Sequence, residues 1–365
     1  MNAQVDARQQ AQLAFVNSGA NLVVGDVQAC PLPPVELAAL RLDSPYVVEH
    51  FGGGLTAQVL HLCINGAHYT LKQKRAESLV RNVDGQTSFL NEVQRRADFS
   101  RLKGDAAWAG RFDHIVPTLY ADFQLGIILS PWLPGKPLNR FDAPIFRQIL
   151  ATAVACEEAG LMEWDLCPGN IIDDSGHIWL FDFGYMYPFD PLTQFNSNGI
   201  SDPLFHACER FETRNFFGWI LRQEALGPQQ ALALYRELKE VALELYQQKL
   251  TWLMARGASG QVQSWVRGFI ERWQQALASD ASLERLFKVE NFRSQVLDIE
   301  DDLHGKSCTP LTLRRLDFVE QCLRERFEAL REGGALFYDN AGKSQQELLD
   351  LYGQKRLLVL KYQLC

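Results

Sequence analysis

A chain of 365 residues is long enough for two compact units, or one two-lobed unit, with a sizeable core. Hydrophobic residues make up 47% and charged residues 22%, and no apolar run approaches the roughly 18 residues of a membrane-spanning helix, so neither disorder nor a membrane span is expected. The formal net charge of -8 argues against nucleic acid, whose binding leans on dense Lys and Arg, and suits a cationic ligand only weakly.

Residues 1 to 44 read as an N-terminal extension. Met1 to Gln12 is polar and lacks the basic segment and apolar stretch of a secretory signal, so a cytoplasmic protein is expected. A polar helix near Ala7 to Val16 precedes a stretch punctuated by Pro31, Pro33 and Pro34, whose role the residues do not reveal. From Pro45 the pattern becomes short β-branched and aromatic runs: Tyr46 to His50, Thr56 to Ile64 and His68 to Gln73. Asn65-Gly66 joins the last two and predicts a type I′ hairpin, because that turn needs positive φ at both central positions. A helix near Gln86 to Leu102 carries Phe89, Val93 and Ala97 on one stripe, and strands are predicted at Ile115 to Tyr120 and Leu125 to Leu129.

After the linker-like Pro131 to Pro137 the chain turns helical. Asp142 and Pro144 start a helix that Gly160 stops. Short strands are predicted at Asn170 to Ile172 and His177 to Phe181, around Asp174-Ser175-Gly176. Beyond Asp202 the reading is helical nearly to the end. Pro228 to Arg256 carries Leu234, Leu238, Val241 and Leu245 on one face, Trp265, Phe269, Trp273 and Leu277 form another stripe, and Thr309-Pro310 opens a helix to about Glu332. These stripes are read as core. Among the eight cysteines (Cys30, Cys63, Cys156, Cys167, Cys208, Cys308, Cys322 and Cys365) no two stand at C-x-x-C spacing, which predicts neither zinc nor a disulfide framework.

Transfer of a phosphoryl group from ATP needs a cradle for the triphosphate, magnesium to neutralise charge, and a group to take the acceptor's proton. Candidates for each occur in order. Gly52, Gly53 and Gly54 lie between two predicted strands, where missing side chains let backbone N–H groups approach phosphate oxygens. Lys72 ends the run Tyr69-Thr70-Leu71-Lys72, and Glu92 follows twenty residues later on the next helix, placed to pair with it. Taken singly, these are a flexible turn, a strand-edge cation and a solvated helix carboxylate. Asp165 and Asn170 stand five apart on a predicted loop, and Asp182 follows a short hairpin in Phe181-Asp182-Phe183-Gly184. A carboxylate and an amide oxygen so placed suit magnesium, which takes few protein oxygens beside phosphates and water.

The segment Asp165-Leu166-Cys167-Pro168-Gly169-Asn170 followed by Asp182-Phe183-Gly184 resembles the catalytic loop and metal-binding motif of the protein-kinase-like superfamily. Its Pro-Gly-Asn ending, Gly53-Gly54-Leu55-Thr56 upstream and Trp132-Leu133-Pro134-Gly135-Lys136-Pro137-Leu138 are similar to the aminoglycoside and choline kinase branch. The resemblance covers Tyr46 to Gly184. It implies an α+β, two-lobed protein-kinase-like fold, with a small antiparallel-sheet N-lobe over 45–131 and a large helical C-lobe over 132–365. It further implies Asp165 as catalytic base, Asn170 and Asp182 as magnesium ligands, Lys72 with Glu92 as the clamp on the ATP phosphates, and adenine against Leu129 to Trp132.

Glu163 stands where the family usually has His, Trp164 where regulated protein kinases carry Arg, and Cys167 where a Lys or His is usual. Without that Arg a phosphorylated activation loop has no obvious partner, and Cys167 brings no positive charge to the transferring group. His206, Asp202 and Asp190 are downstream candidates for an acceptor site, with packing or surface roles the more ordinary reading. The expected activity is ATP- and magnesium-dependent phosphorylation of a hydroxyl on a small-molecule acceptor: a sugar, an amino alcohol, an antibiotic or a glycolipid head group. A protein Ser/Thr kinase and a nucleotide-binding pseudokinase or scaffold are the alternatives.

Overall fold

The structure is a computed structural model that describes residues 3–364, and it is α+β. The chain divides into two compact units. One comprises the chain up to Leu138, Ala151–Asp190 and Asn196–Asp202; the other comprises Asn139–Leu150, Pro191–Phe195 and the chain from Pro203 onward.

The first unit is organised by a six-stranded antiparallel sheet of β1 (Val23–Gly25), β2 (Val47–Phe51), β3 (Ala57–Ile64), β4 (Ala67–Lys74), β5 (Tyr120–Asp122) and β6 (Ile127–Pro131). Their spatial order is β1-β5-β6-β4-β3-β2. Asn65 and Gly66 have φ of 53° and 78°, the two positive values a type I′ turn requires, and they set the register Ile64↔Ala67. The predicted strand Ile115 to Tyr120 divides at Pro117, which has no N–H for a ladder. Ile115 makes only a bridge to Leu180, and the strand proper starts at Tyr120.

Alternation along β4 gives each face its own partner. On one face Ala57, Ala121 and Ile128 pack with Phe89, Leu90 and Val93 of the helix Val83–Gly104. On the other, Leu60, Leu62, Leu71, Ile127 and Leu129 pack with Leu37, which lies in the short helix Pro34–Ala38 and is fully buried. The segment before Pro45 is therefore part of this unit: it supplies the edge strand β1 and covers the back of the sheet. Gln73 Nε2 fastens it, lying 3.1, 3.3 and 3.2 Å from the carbonyls of Leu37, Ala38 and Leu40. Helices are named α1 (Ala3–Ser18), α2 (Pro34–Ala38) and α3 (Val83–Gly104) in this part of the chain. Asn82 caps α3 by accepting from Gly85 N at 2.7 Å, three residues before the predicted start.

Beyond the sheet, β7 (Lys136–Pro137), β9 (Ile171–Asp174) and β10 (His177–Leu180) form a three-stranded sheet, and β8 (Leu161–Glu163) pairs with β11 (Met186–Pro188). The helix α4 (Ala143–Glu158) begins at Asp142, whose Oδ1 accepts from Ile145 N at 2.9 Å, and ends before Gly160 at φ 78°.

The second unit is helical: α5 (Ala207–Phe211), a π-helical turn at Glu212–Phe216, α6 (Phe217–Arg222), α7 (Pro228–Ala255), α8 (Gly260–Leu277), α9 (Asp280–Gly305), α10 (Pro310–Glu332) and α11 (Gln345–Lys361). Leu238, Val241, Leu245, Phe269 and Trp273 are buried as the stripes predict, while Leu234, Trp265 and Leu277 sit at their margins. The buried face of α7 also carries Lys239, whose Nζ lies 2.5 Å from Glu212 and 2.6 Å from Glu290. No helix among the described residues is long and apolar enough to cross a membrane. The seven cysteines among them are free thiols, and Cys365 lies outside the described residues.

Because Leu37 fills the back of the sheet with no exposed surface, Leu37→Ala should lower the unfolding free energy by about 2–4 kcal/mol. Urea denaturation read by circular dichroism measures it. An unchanged midpoint would show that 30–40 contributes nothing to the stability of the sheet.

Candidate functional site

Lys72 lies in the central strand β4, opposite Val59 on β3 and Ile128 on β6, on the face that meets α3. Its stem is therefore buried, and its ammonium must find charged partners there. Nζ lies 2.5 Å from Glu92 Oε2 and 2.7 Å from Asp182 Oδ1. The second oxygen of Glu92 accepts from Arg96 Nη2 at 2.9 Å, one turn further along α3. Burial works against the charge on Lys72, but Asp182 and Glu92 outweigh it and hold its pKa above the ordinary lysine value. Burial also opposes ionisation of Glu92, and Lys72 and Arg96 reverse that, so its pKa falls below the usual carboxylate value.

Asp182 adopts φ 63°, a region non-glycine residues enter at a cost of about 1–3 kcal/mol, so its surroundings must over-determine it. They do. Phe181 N donates to the Asn170 carbonyl at 3.1 Å on one side. On the other, Phe183 is buried against Phe99, with ring centroids 4.8 Å apart, and lies under the Arg96 guanidinium. A Cβ on Gly184 would meet Ser88 Cβ at 3.2 Å and Ser88 O at 3.4 Å, so glycine lets this segment lie directly on α3. Asn91 Nδ2 then reaches the carbonyls of Phe183, Gly184 and Met186 at 3.3, 3.0 and 2.7 Å. Burial raises the pKa of Asp182, Lys72 opposes it, and the negative charges of Glu92 and Asp165 add to it.

Asp165 and Asn170 flank a single 3-10 turn, Pro168–Asn170, after β8. Asn170 Nδ2 donates to the Asp165 carbonyl at 2.9 Å and lies 3.3 Å from Asp165 Oδ2, so the amide fixes the carboxylate from inside the loop. Glu163 supports the loop from beneath: its Oε1 accepts from Asp165 N at 2.7 Å. Its other oxygen is buried without a hydrogen-bond partner among the described residues, in a small cavity lined by Thr152, Cys156, Leu180 and Phe183. Burial pushes the Glu163 pKa well above the ordinary 4.5; the Asp165 N–H bond opposes this, and the charges of Asp165 and Asp182 add to it.

The structure thus joins Lys72, Glu92 and Asp182 in one chain of contacts, with Asp165 and Asn170 paired in the adjoining loop. Gly52, Gly53 and Gly54 stand apart from these contacts. The register aligns Phe51, Val59 and Lys72 across three strands, so the glycine loop begins one residue beyond the row that holds Lys72. Arg75 ties that loop down, with Nε 2.8 Å from the Gly54 carbonyl and Nη2 2.9 Å from the Gly52 carbonyl. His206 belongs to the second unit, where it is buried with Nδ1 2.6 Å from the Tyr246 hydroxyl, a packing role. Asp202 Oδ2 accepts from Asn198 Nδ2 at 2.9 Å.

Sequence reasoning passed over Arg96, Asn91 and Arg75. Arg96 was findable, since four residues from Glu92 on a helix is contact distance. Asn91 was not, because its partners are main-chain carbonyls more than ninety residues away.

Among the described residues no group of three or more His, Cys, Asp and Glu is arranged to hold a metal. Asn170 and Asp182 offer two oxygens, the sparse protein share that magnesium takes beside phosphates. Asp182 fits this part: its side chain is 33% exposed and meets Lys72 through Oδ1, and the nearby Glu92 and Asp165 make added positive charge favourable. No protein-family model matches the sequence, and no curated protein matches it.

The buried acid at 163 has a measurable consequence. Between its ordinary pKa of 4.5 and its raised folded value, Glu163 is protonated in the folded protein and ionised in the unfolded chain, so its contribution to stability falls as pH rises through that window. Glu163→Gln keeps the acceptor for Asp165 N and removes the titration. The stability of the variant relative to the parent should rise as pH increases from about 4 to about 7.5. Thermal denaturation across that range tests it; a constant difference at all pH values would mean that Glu163 titrates alike in the folded and the unfolded chain.

Proposed function

We propose that the chain is an ATP- and magnesium-dependent phosphotransferase of protein-kinase-like, two-lobed design that phosphorylates a hydroxyl of a small molecule. The observation that carries this reading is the contact chain Glu92–Lys72–Asp182 beside the Asp165–Asn170 pair. It supplies the three functions phosphoryl transfer needs: a buried, permanently charged ammonium for the α and β phosphates, two oxygen ligands for magnesium, and a carboxylate beside them.

In the reaction, the acceptor hydroxyl oxygen forms a bond to the γ-phosphorus as the bond to the β-phosphate oxygen breaks. ADP leaves, and the hydroxyl proton passes to the Asp165 carboxylate. Asn170 holds that carboxylate in place, while Lys72, braced by Glu92, neutralises phosphate charge. Asn170 and Asp182 would hold a magnesium ion, which would supply further neutralisation of phosphate charge. A nucleotide-binding protein without transfer is the second reading, favoured by Cys167, a neutral side chain on the loop where a cation would steady the moving phosphoryl group.

Incubation with labelled ATP, magnesium and a panel of amino sugars, amino alcohols, glycosides and glycolipid head groups tests the first reading. Asp165→Ala should lower kcat by about 10²–10⁴-fold, Asp182→Ala and Lys72→Met should abolish turnover, and chelation of magnesium should do the same. Labelled product no greater than with Asp182→Ala across the panel, with ATP still bound, would leave the second reading.

A further inference from the structure

The N-terminal helix α1 has no apolar stripe to account for its place in the fold. Phe15 joins the core as a partly buried neighbour. Polar side chains hold the helix, and Arg8 and Gln12 reach toward the elements that position the candidate site. Arg8 Nη2 donates to both oxygens of Asp84, at 3.0 and 3.1 Å, in the first turn of α3. The same guanidinium lies 3.5 Å over the Tyr187 ring on β11, five residues after Asp182. One turn later on α1, Gln12 Nε2 donates to Gln94 Oε1 at 2.7 Å and lies 3.5 Å from Asn91 Oδ1.

These contacts fall on one stripe of α3. Asp84, Ser88, Asn91 and Arg95 recur at helical spacing and face α1 and the segment 183–186, where Arg95 Nη1 lies 3.2 Å from the Met186 carbonyl. The neighbouring stripe, Phe89, Glu92, Arg96 and Phe99, faces the sheet and Phe183. A small rotation or slide of α3 would therefore move Glu92 away from Lys72 and release Phe183-Gly184 together. Arg8 grips both α3 and β11.

We propose that α1 is a built-in positioning element for the candidate site, and that Arg8 is the positioning residue that locks α3 to the strand following Asp182. Arg8 touches no reacting group; it acts through Asp84 and Tyr187. The turnover arm of the test rests on the phosphotransferase reading, whereas the amide-exchange arm does not. In Arg8→Ala the amides of Met186 and Trp164, which bond to the Phe183 and Tyr185 carbonyls, should exchange about tenfold faster. Asp84→Asn should do the same from the other side of the bridge. Turnover should show kcat down by about tenfold with KM for ATP changed by less than about threefold. The exchanged pair Arg8→Asp with Asp84→Arg should recover part of both losses. Wild-type exchange at Met186 in both single variants overturns the proposal whatever the turnover. Faster exchange in a protein whose wild type transfers no phosphate upholds the clamp and removes the phosphotransferase reading alone.

Discussion

The contact of Lys72 with Glu92 and Asp182 sets the terms for the first unit. Its three charges come from three separately formed pieces: Lys72 from β4, Glu92 from the third turn of α3, and Asp182 two residues after β10. Burying charges is costly, and the attraction between them repays that only in good geometry. The contact therefore adds little to net stability but penalises misplacement of any one piece, because a shifted element leaves a buried charge unpaired. A sheet register off by one residue would turn Lys72 to the opposite face, toward Leu37.

The helix α3 carries this requirement through the unit. One stripe meets the sheet through Phe89 and the charges through Glu92 and Arg96; the adjacent stripe reads main-chain carbonyls of 183–186 through Asn91. Side-chain amides that bind main chain fix a segment's path without regard to its side chains, so the backbone after Asp182 is held in the conformation that its φ of 63° demands. Gly184 belongs to the same constraint, since a side chain there would press on Ser88.

Much of this was legible in the residues because local chemistry specified it. Asn65-Gly66 fixed a hairpin and thereby the strand on which Lys72 sits, whereas the reason for Gly184 shows only once Ser88 of α3 lies against it. What could not be read was long range. The strand Val23–Gly25 is three residues long and gains its identity from pairing with 120–122, about a hundred residues away. Leu37 shows no periodicity in its proline-punctuated surroundings, and only the finished sheet reveals the apolar surface it covers. Pro117 was visible, and it explains why the run around Ile115 serves two different sheets rather than one.

Charge balance links Glu163 to Cys167. Asp165, Asp182 and Glu92 bring three carboxylates to the site, and Lys72 and Arg96 bring two cations, leaving an excess of negative charge before any nucleotide arrives. A fourth ionised carboxylate beside Asp165 would deepen that excess, and the burial that raises the Glu163 pKa works against it. A triphosphate deepens it far more, and Cys167 offers nothing to offset this. On the phosphotransferase proposal, a nucleotide would therefore have to bring cations of its own to settle against Lys72. Glu163 holds the Asp165 backbone through Oε1 from a buried position, and the same burial that raises its pKa keeps it from adding readily to the negative charge around Asp165.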